Sequence, residues 1–298
     1  MSFYQKFAVL GGDLRQVAVA SYLVLQGYDV CTWGLPPENL LPAVGRSDTW
    51  LQAVVGADVL ILPLPASPDS KHLNLPLMQE EKKTPCIFDI IEATPKNTWI
   101  AGGRLSKKIK EALEQSDHRY FDYFESEDLQ QKNAIPTAEG AVEVLMREIP
   151  QTVCGLSVAV TGFGRVARAL VRLLLAMGAE VTVMARKDSD ILQAKALGCA
   201  TVALAPGALN NLGSSFSVIF NTVPFCLFDE TVLNGLSHDT VIVDLASAPG
   251  GVDVNAAKAL GIRAIWALSL PGKYAPVTAG EIIAQTVLEY VKERGTLS

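Results

Sequence analysis

The sequence is short of the patterns that tie a protein to a metal, a membrane or a polyanion. It has three histidines in 298 residues, His72, His118 and His238. They lie far apart in polar, turn-like stretches without visible partners, so surface positions are expected and a metal site is not. Five cysteines, Cys31, Cys86, Cys154, Cys199 and Cys226, form no C-x-x-C pair and no zinc spacing. They read as reduced and mostly buried thiols. Lys and Arg number 25 against 31 Asp and Glu, a formal net charge of −6. With no basic stripe, nucleic acid is not an expected partner. The longest apolar runs are strand-length, too short for a membrane-spanning helix. The opening Met1-Ser-Phe-Tyr-Gln-Lys6 lacks a signal peptide's form, so a cytoplasmic protein is expected.

What is present is core-forming material. Hydrophobic residues make up 49% of the chain and no tract is of low complexity, so a folded protein is expected throughout. The length suits two domains, each large enough for its own core.

The chain is organised around 156–177. A β-branched apolar run reaches Gly162, and a G-x-G-x-x-A turn (Gly162, Phe163, Gly164, Arg165, Val166, Ala167) follows. An amphipathic pattern then continues to Met177. This reads as strand, tight turn and helix, and a second strand at 180–185 completes a βαβ unit. Gly162 permits the turn, Gly164 lets a pyrophosphate approach the backbone, and Ala167 lets the helix pack on the strand. The phosphates then sit at the helix N-terminus, where unpaired N–H groups favour negative charge.

The end of the second strand points to which dinucleotide. An NAD-binding unit usually carries Asp or Glu there, for the ribose 2′-hydroxyl. Here the strand runs into Ala185, Arg186 and Lys187, with no acid before Asp188. Two cations in place of a carboxylate suit a 2′-phosphate, with Arg165 adding charge from the loop, and NADP is the expected cofactor.

In chain order, a strand from Lys6 leads through Gly11-Gly-Asp-Leu-Arg-Gln16 into a helix over 13–26 and a strand over 28–33. Asp13 falls where a phosphate would sit, so a second dinucleotide site is not expected. Asp13, Arg15 and Gln16 put a carboxylate, a guanidinium and an amide at the C-terminal edge of a sheet, where ligands of open α/β sheets bind. An Asp N-cap followed by two solvated helix residues explains the same pattern equally well. Strands are expected over 58–63, 85–90, 98–102 and 119–124, with a helix over 106–115. A helix starting at Asn133-Ala-Ile-Pro-Thr-Ala-Glu-Gly140, with Thr137 as its cap, runs to Glu148 and bridges two lobes. After the fingerprint unit come a helix over 189–197 and a short strand at 201–203. The strand over 217–224 ends in Asn221-Thr-Val-Pro224, expected near the adenosine half of a cofactor. The strand from Thr240 ends in Asp244-Leu-Ala-Ser-Ala-Pro-Gly-Gly251, expected near the nicotinamide. A strand at 262–266 follows. The stretch 270–280 reads as a loop too rich in Pro and Gly for a helix, with Lys273 and Thr278 facing an interdomain cleft. A helix over 281–293 then returns to the first domain.

These motifs, nearly spanning the chain, resemble the A subunits of bacterial dipicolinate synthases. They are Gly11–Gln16, Ile135–Gly140, Gly162–Arg165, Asn221–Pro224, Asp244–Gly251 and Leu270–Gly280. The resemblance implies two Rossmann-like, doubly wound parallel-sheet α/β domains flanking a cleft. The expected division is an N-terminal substrate domain over 1–134, an NADP-binding domain over 135–278 and a returning helix over 279–298. It also implies an NADP-dependent oxidoreductase of sporulating bacteria on a branch of the lysine pathway. That enzyme turns 4-hydroxy-tetrahydrodipicolinate into pyridine-2,6-dicarboxylate. Its partner is a flavoprotein-like B subunit, and a homo-oligomer is expected. Arg15 and Lys273 are the cations expected to meet a dicarboxylate substrate, with Gln16, Thr137 and Thr278 beside them. Asp13 and Glu139 are the carboxylates available for proton transfer, and Lys273 joins them as a catalytic candidate. Cofactor contacts are expected from Gly162–Val166, Arg186, Lys187, Thr222, Val223, Pro224, Leu245, Ala246 and Ser247. Two other readings compete. The D-2-hydroxyacid dehydrogenases share the two-lobed plan but use a histidine before the last helix, and no histidine follows His238 here. The other is a catalytically silent NADP-binding protein that regulates a partner.

Overall fold

The computed structural model describes residues 5–78, 84–210 and 212–294. Two compact units divide the chain. The first runs to Asn133 and is taken up again from Ala275, and the second is Ala134–Tyr274.

The first unit opens with β1 (Lys6–Leu10), α1 (Leu14–Leu25), β2 (Asp29–Trp33), β3 (Gly45–Arg46), α2 (Trp50–Val54) and β4 (Val59–Ile61). It continues with α3 (Ile87–Ala93), β5 (Trp99–Gly102), α4 (Lys107–Gln115), β6 (Tyr120–Asp122) and the start of α5 (Glu127–Glu148). Its six strands lie in the order β3-β2-β1-β4-β5-β6, and every pair is parallel. A parallel sheet is covered on both faces, and β1 shows how one strand serves both. Phe7 and Val9 enter one apolar cluster, while Ala8 and Leu10 enter the other. That is the two-residue alternation of an extended chain.

The second unit repeats the plan with β7 (Ser157–Thr161), α6 (Arg165–Ala176), β8 (Glu180–Ala185), α7 (Asp188–Ala196), β9 (Ala200–Ala203) and β10 (Val218–Asn221). It then adds α8 (Glu230–Asn234), β11 (Val241–Asp244), α9 (Val254–Ala259), β12 (Arg263–Trp266) and α10 (Leu270–Tyr274). Its order is β12-β11-β10-β7-β8-β9. Read outward from the first strand of each unit, both sheets have the doubly wound order 3-2-1-4-5-6. The chain reverses direction across the sheet between β1 and β4, and again between β7 and β10.

Three expectations about elements fail. The run 85–90 is no strand: Ile87, Ile90 and Ile91 are buried on one side of α3, at helical spacing. A short apolar run looks the same in either state until its neighbours are known. The helix expected from 133 begins six residues earlier, at Glu127, with Pro136 inside it. Thr137 is therefore an interior residue and caps nothing. Pro136 removes one backbone donor without ending the helix, which is why its approach resembled a helix start. The stretch 270–280 is not a loop but α10 and the first turns of α11 (Pro276–Glu293). Pro276 occupies the first helical position, where the missing N–H is not needed.

Within the first unit, α11 lies against α1. Ile282, Ile283, Val287 and Val291 share a cluster with Val17, Val19 and Leu23. The approach is set by Gly280, where a Cβ would stand 2.4 Å from the Arg15 carbonyl oxygen and 2.5 Å from the Ala18 Cβ. Gly280→Val should force these helices apart and cost about 1–3 kcal/mol. Three of the four tryptophans lie in this unit, so urea unfolding followed by tryptophan emission reports on it. An unchanged midpoint would show that the helix contact is not tight.

Candidate functional site

In the second unit the fingerprint turn joins β7 to α6. Gly162 has φ +85°, and a Cβ there would meet Thr222 Oγ1 at 2.5 Å and Val223 Cγ2 at 2.9 Å. Glycine is required both by the backbone and by the neighbouring strand end. Gly164 is the N-cap of the twelve-residue α6, and a Cβ on it would meet nothing within 4 Å. Among the described residues, then, nothing crowds the Gly164 Cα at this helix N-terminus. Ala167 is fully buried at the helix–sheet contact. Phe163 is also buried, so its backbone, not its ring, belongs to the edge. The Arg168 guanidinium lies over that ring at 5.2 Å, donates from Nε to the Phe163 carbonyl at 2.9 Å and pairs with Asp190 at 3.0 Å. Arg165 is exposed and Val166 half-buried. After β8, Arg186 and Lys187 are both exposed, with no carboxylate before Asp188.

The ends of β7, β10 and β11 are joined by a buried polar network. Thr161 Oγ1 donates to Asn221 Oδ1 at 2.7 Å, and Asn221 Nδ2 donates to Asp244 Oδ1 at 2.7 Å and to the Val223 carbonyl at 3.0 Å. Asp244 also accepts from the backbone N–H of Ala246 at 3.0 Å and of Gly251 at 2.7 Å. Thr222 Oγ1 donates to the Thr161 carbonyl at 2.8 Å. Trp266 Nε1 donates to the Ala246 carbonyl at 2.9 Å. The segments Thr222–Pro224 and Leu245–Ser247 are thus fixed at the C-terminal edge, on the β10–β11 side of the fingerprint turn. Sequence reasoning placed both segments there but missed what holds them. Two polar residues closing adjacent apolar strands, Asn221 and Asp244, were the available signal.

The corresponding edge of the first unit is built differently. Asp13 is the N-cap of α1 and accepts from the Arg15 backbone N–H at 3.0 Å. Its carboxylate also receives the Arg15 side chain, from Nε at 2.9 Å and from Nη2 at 2.8 Å, while that Nη2 donates to the Leu64 carbonyl at 2.6 Å. Arg15 is 6% and Gln16 1% exposed, so neither is a solvated helix residue. Gln16 Nε2 donates to the Leu62 carbonyl at 3.0 Å, which also accepts from Tyr123 Oη at 3.0 Å. These contacts tie the start of α1 to the segment following β4, at the point where the strand order reverses.

The other candidates are spread over helices. Glu139 is exposed and Thr137 half-buried on α5; Lys273 is exposed on α10 and Thr278 on α11. His238 is exposed, as expected, but the other two histidines depart from expectation. His118 is buried, with Nε2 3.0 Å from the Thr94 carbonyl and Nδ1 2.8 Å from Ser116 Oγ. His72 has a partner, Asp69, at 2.6 Å. Hydrogen bonds from the His72 backbone N–H and ring, and from the Lys71 N–H, hold the Asp69 carboxyl well below the usual carboxylate range. The cysteines are free, but only Cys199 is buried, and Cys154 and Cys226 are exposed. Among the described residues no group of His, Cys, Asp or Glu is arranged to hold a metal ion. No described helix is long and apolar enough to cross a membrane.

Two doubly wound parallel sheets, one bearing a dinucleotide fingerprint, define a protein of the dehydrogenase fold. A transhydrogenase from Sinorhizobium meliloti shares that fold at a TM-score of 0.69 and 15% identity, over 97% of this chain and 94% of that one. Within the class, the chain is similar along its length to the A subunits of dipicolinate synthases, and residues 6–124 match the family of their N-terminal domain. It is 29% identical to the A subunit of dipicolinate synthase from Bacillus subtilis (strain 168), over 97% of the chain and 96% of that protein. The crystal structure of the A subunit of dipicolinate synthase from Bacillus halodurans superposes at a TM-score of 0.84 and 26% identity, covering 98% of this chain and 99% of that one.

The Asp13–Arg15 pair has a testable consequence. Arg15→Met removes both side-chain donors to the Asp13 carboxylate and leaves the Leu64 carbonyl short of a donor, so it should destabilise the first unit by about 3 kcal/mol. Urea unfolding measures this, and an unchanged midpoint would return Arg15 to a role in ligand binding alone.

Proposed function

We propose that this chain is the A subunit of a dipicolinate synthase, an NADP-dependent oxidoreductase. Its reaction converts 4-hydroxy-tetrahydrodipicolinate to pyridine-2,6-dicarboxylate with loss of one water and two electrons. The similarity to the Bacillus subtilis protein, which runs through 97% of the chain, carries this reading. A B subunit is the implied partner.

The residues present suit a dinucleotide. The open space over Gly164 leaves room for a pyrophosphate against the first N–H groups of α6. Gly162–Val166 would hold it mainly through backbone. Thr222, Val223 and Pro224 would flank the adenosine half, and Leu245, Ala246 and Ser247 the nicotinamide half. Arg186 and Lys187, exposed just past β8, would bind a 2′-phosphate, and the missing carboxylate at that strand end removes the usual partner of a 2′-hydroxyl. A bound dinucleotide would supply the hydride acceptor.

The chain's own contribution is to bind and orient a dicarboxylate and to move protons. Asp13 takes up much of the Arg15 charge, so of the two candidate cations Lys273 is the one proposed for a substrate carboxylate, with Thr137 and Thr278 as further polar contacts, while the buried Gln16 spends its amide donor on the Leu62 carbonyl. Asp13, whose side chain is 26% exposed, and Glu139 are the carboxylates proposed to take a ring proton. Forming an aromatic ring supplies much of the driving force, so positioning outweighs strong acid–base catalysis. A D-2-hydroxyacid dehydrogenase mechanism is disfavoured by the lack of any histidine after His238.

The direct test mixes the purified chain with NADP and enzymatically generated 4-hydroxy-tetrahydrodipicolinate, with and without a B subunit. Growth of the NADPH band together with the ultraviolet bands of dipicolinate is expected. NADP binding with neither signal in any mixture would overturn the substrate assignment. Arg186→Asp should weaken NADP binding by about a hundredfold and NAD binding far less, since it reverses one of the charges proposed to meet the 2′-phosphate. Equal loss of both, measured by calorimetry, would remove Arg186 from that role.

A further inference from the structure

We propose that Asp244 makes the second unit prefer the oxidised, cationic form of its dinucleotide over the reduced form. This rests on the reading that the nicotinamide half lies against Leu245–Ser247.

Asp244 closes β11 and is 3% exposed. Its carboxylate accepts three hydrogen bonds, from Asn221 Nδ2, the Ala246 N–H and the Gly251 N–H. All three donors are neutral. No Lys, Arg or His among the described residues pairs with it, in contrast to Asp13, whose charge is met by Arg15, and Asp190, met by Arg168. The neutral donors make the burial tolerable without cancelling the charge. An uncancelled charge away from water acts over several ångströms more strongly than one in solvent.

Other carboxylates stand near the same edge: the Cys226 thiol, though exposed overall, is pushed up first by partial desolvation and then by Asp253, Asp229 and, least, Asp244. A buried carboxylate held only by neutral donors disfavours a further negative charge beside it and favours a positive one. Oxidised nicotinamide carries a positive charge on its ring and reduced nicotinamide does not, while the rest of the molecule is unchanged. A fixed carboxylate directly before Leu245–Ser247 is a group able to tell the two apart. It acts by position and charge, not by contact with reacting atoms.

The test is the pair of dissociation constants for NADP+ and NADPH, measured by calorimetry on the full chain, with the NAD pair run alongside. The wild type should bind the oxidised form more tightly. Asp244→Asn keeps the size of the side chain and removes the charge, and should reduce that preference about tenfold. Thr161→Val, which removes the donor to Asn221 without changing charge, should weaken both forms alike. Equal loss of both forms in Asp244→Asn would overturn the proposal and leave Asp244 a purely structural residue. Should circular dichroism show that Asp244→Asn does not fold, the wild-type pair decides: tighter binding of the oxidised form supports the proposal, and equal or weaker binding overturns it. Failure of the wild type to bind either NADP or NAD would instead overturn the cofactor reading itself.

Discussion

A parallel sheet ends in backbone groups that have no next strand residue to pair with, and the second unit meets this constraint with side chains. Thr161, Asn221 and Asp244 end β7, β10 and β11, and their mutual bonds pass from one strand end to the next. Asn221 uses both ends of its amide, and Asp244 both oxygens, so the turns after β10 and β11 are fixed by the same few atoms. The glycines follow from this. A Cβ at Gly251 would stand 2.1 Å from Asn221 Nδ2, and one at Gly250 3.1 Å from Asp244 Oδ2. The small residues at this edge are what the network leaves room for.

The two units use one topology for opposite electrostatic ends. At the first helix of the second unit's sheet, the N-cap is Gly164, with no side chain and open space above it. At the first helix of the first unit, Asp13 fills the corresponding place with its own carboxylate and draws Arg15 onto it. A helix N-terminus already occupied by an anion of the protein has little left to offer a phosphate. Fold likeness between the units therefore does not carry over to function, and the difference comes down to which residue caps each helix.

Much of the architecture was legible because its signals are local. Alternating apolar strands and amphipathic helices, the glycine turn at 162–164 and the Arg186-Lys187 pair after β8 depend on short-range spacing alone. The failures were also local signals, overridden by packing. Ile87–Ile91 became helical because three isoleucines are buried on one side of α3. The proline- and glycine-rich run at 270–280 became two helices because Pro276 sits at a first position and Gly280 admits the α1 backbone. His118, read as a surface residue, is buried because Thr94 and Ser116, distant from it or offset in sequence, meet its two ring nitrogens.

The kind of sheet and the place of the fingerprint turn follow from residue type and spacing along one segment, and both could be read before any contact was known. The electrostatic partnerships, by contrast, arise only in the folded chain. Whether Arg15 meets solvent or Asp13, and whether Asp244 has a cation or only neutral donors, depends on how chain segments meet at a sheet edge. No periodicity records such a meeting, because the energy of a buried charge is set by whatever surrounds it in space.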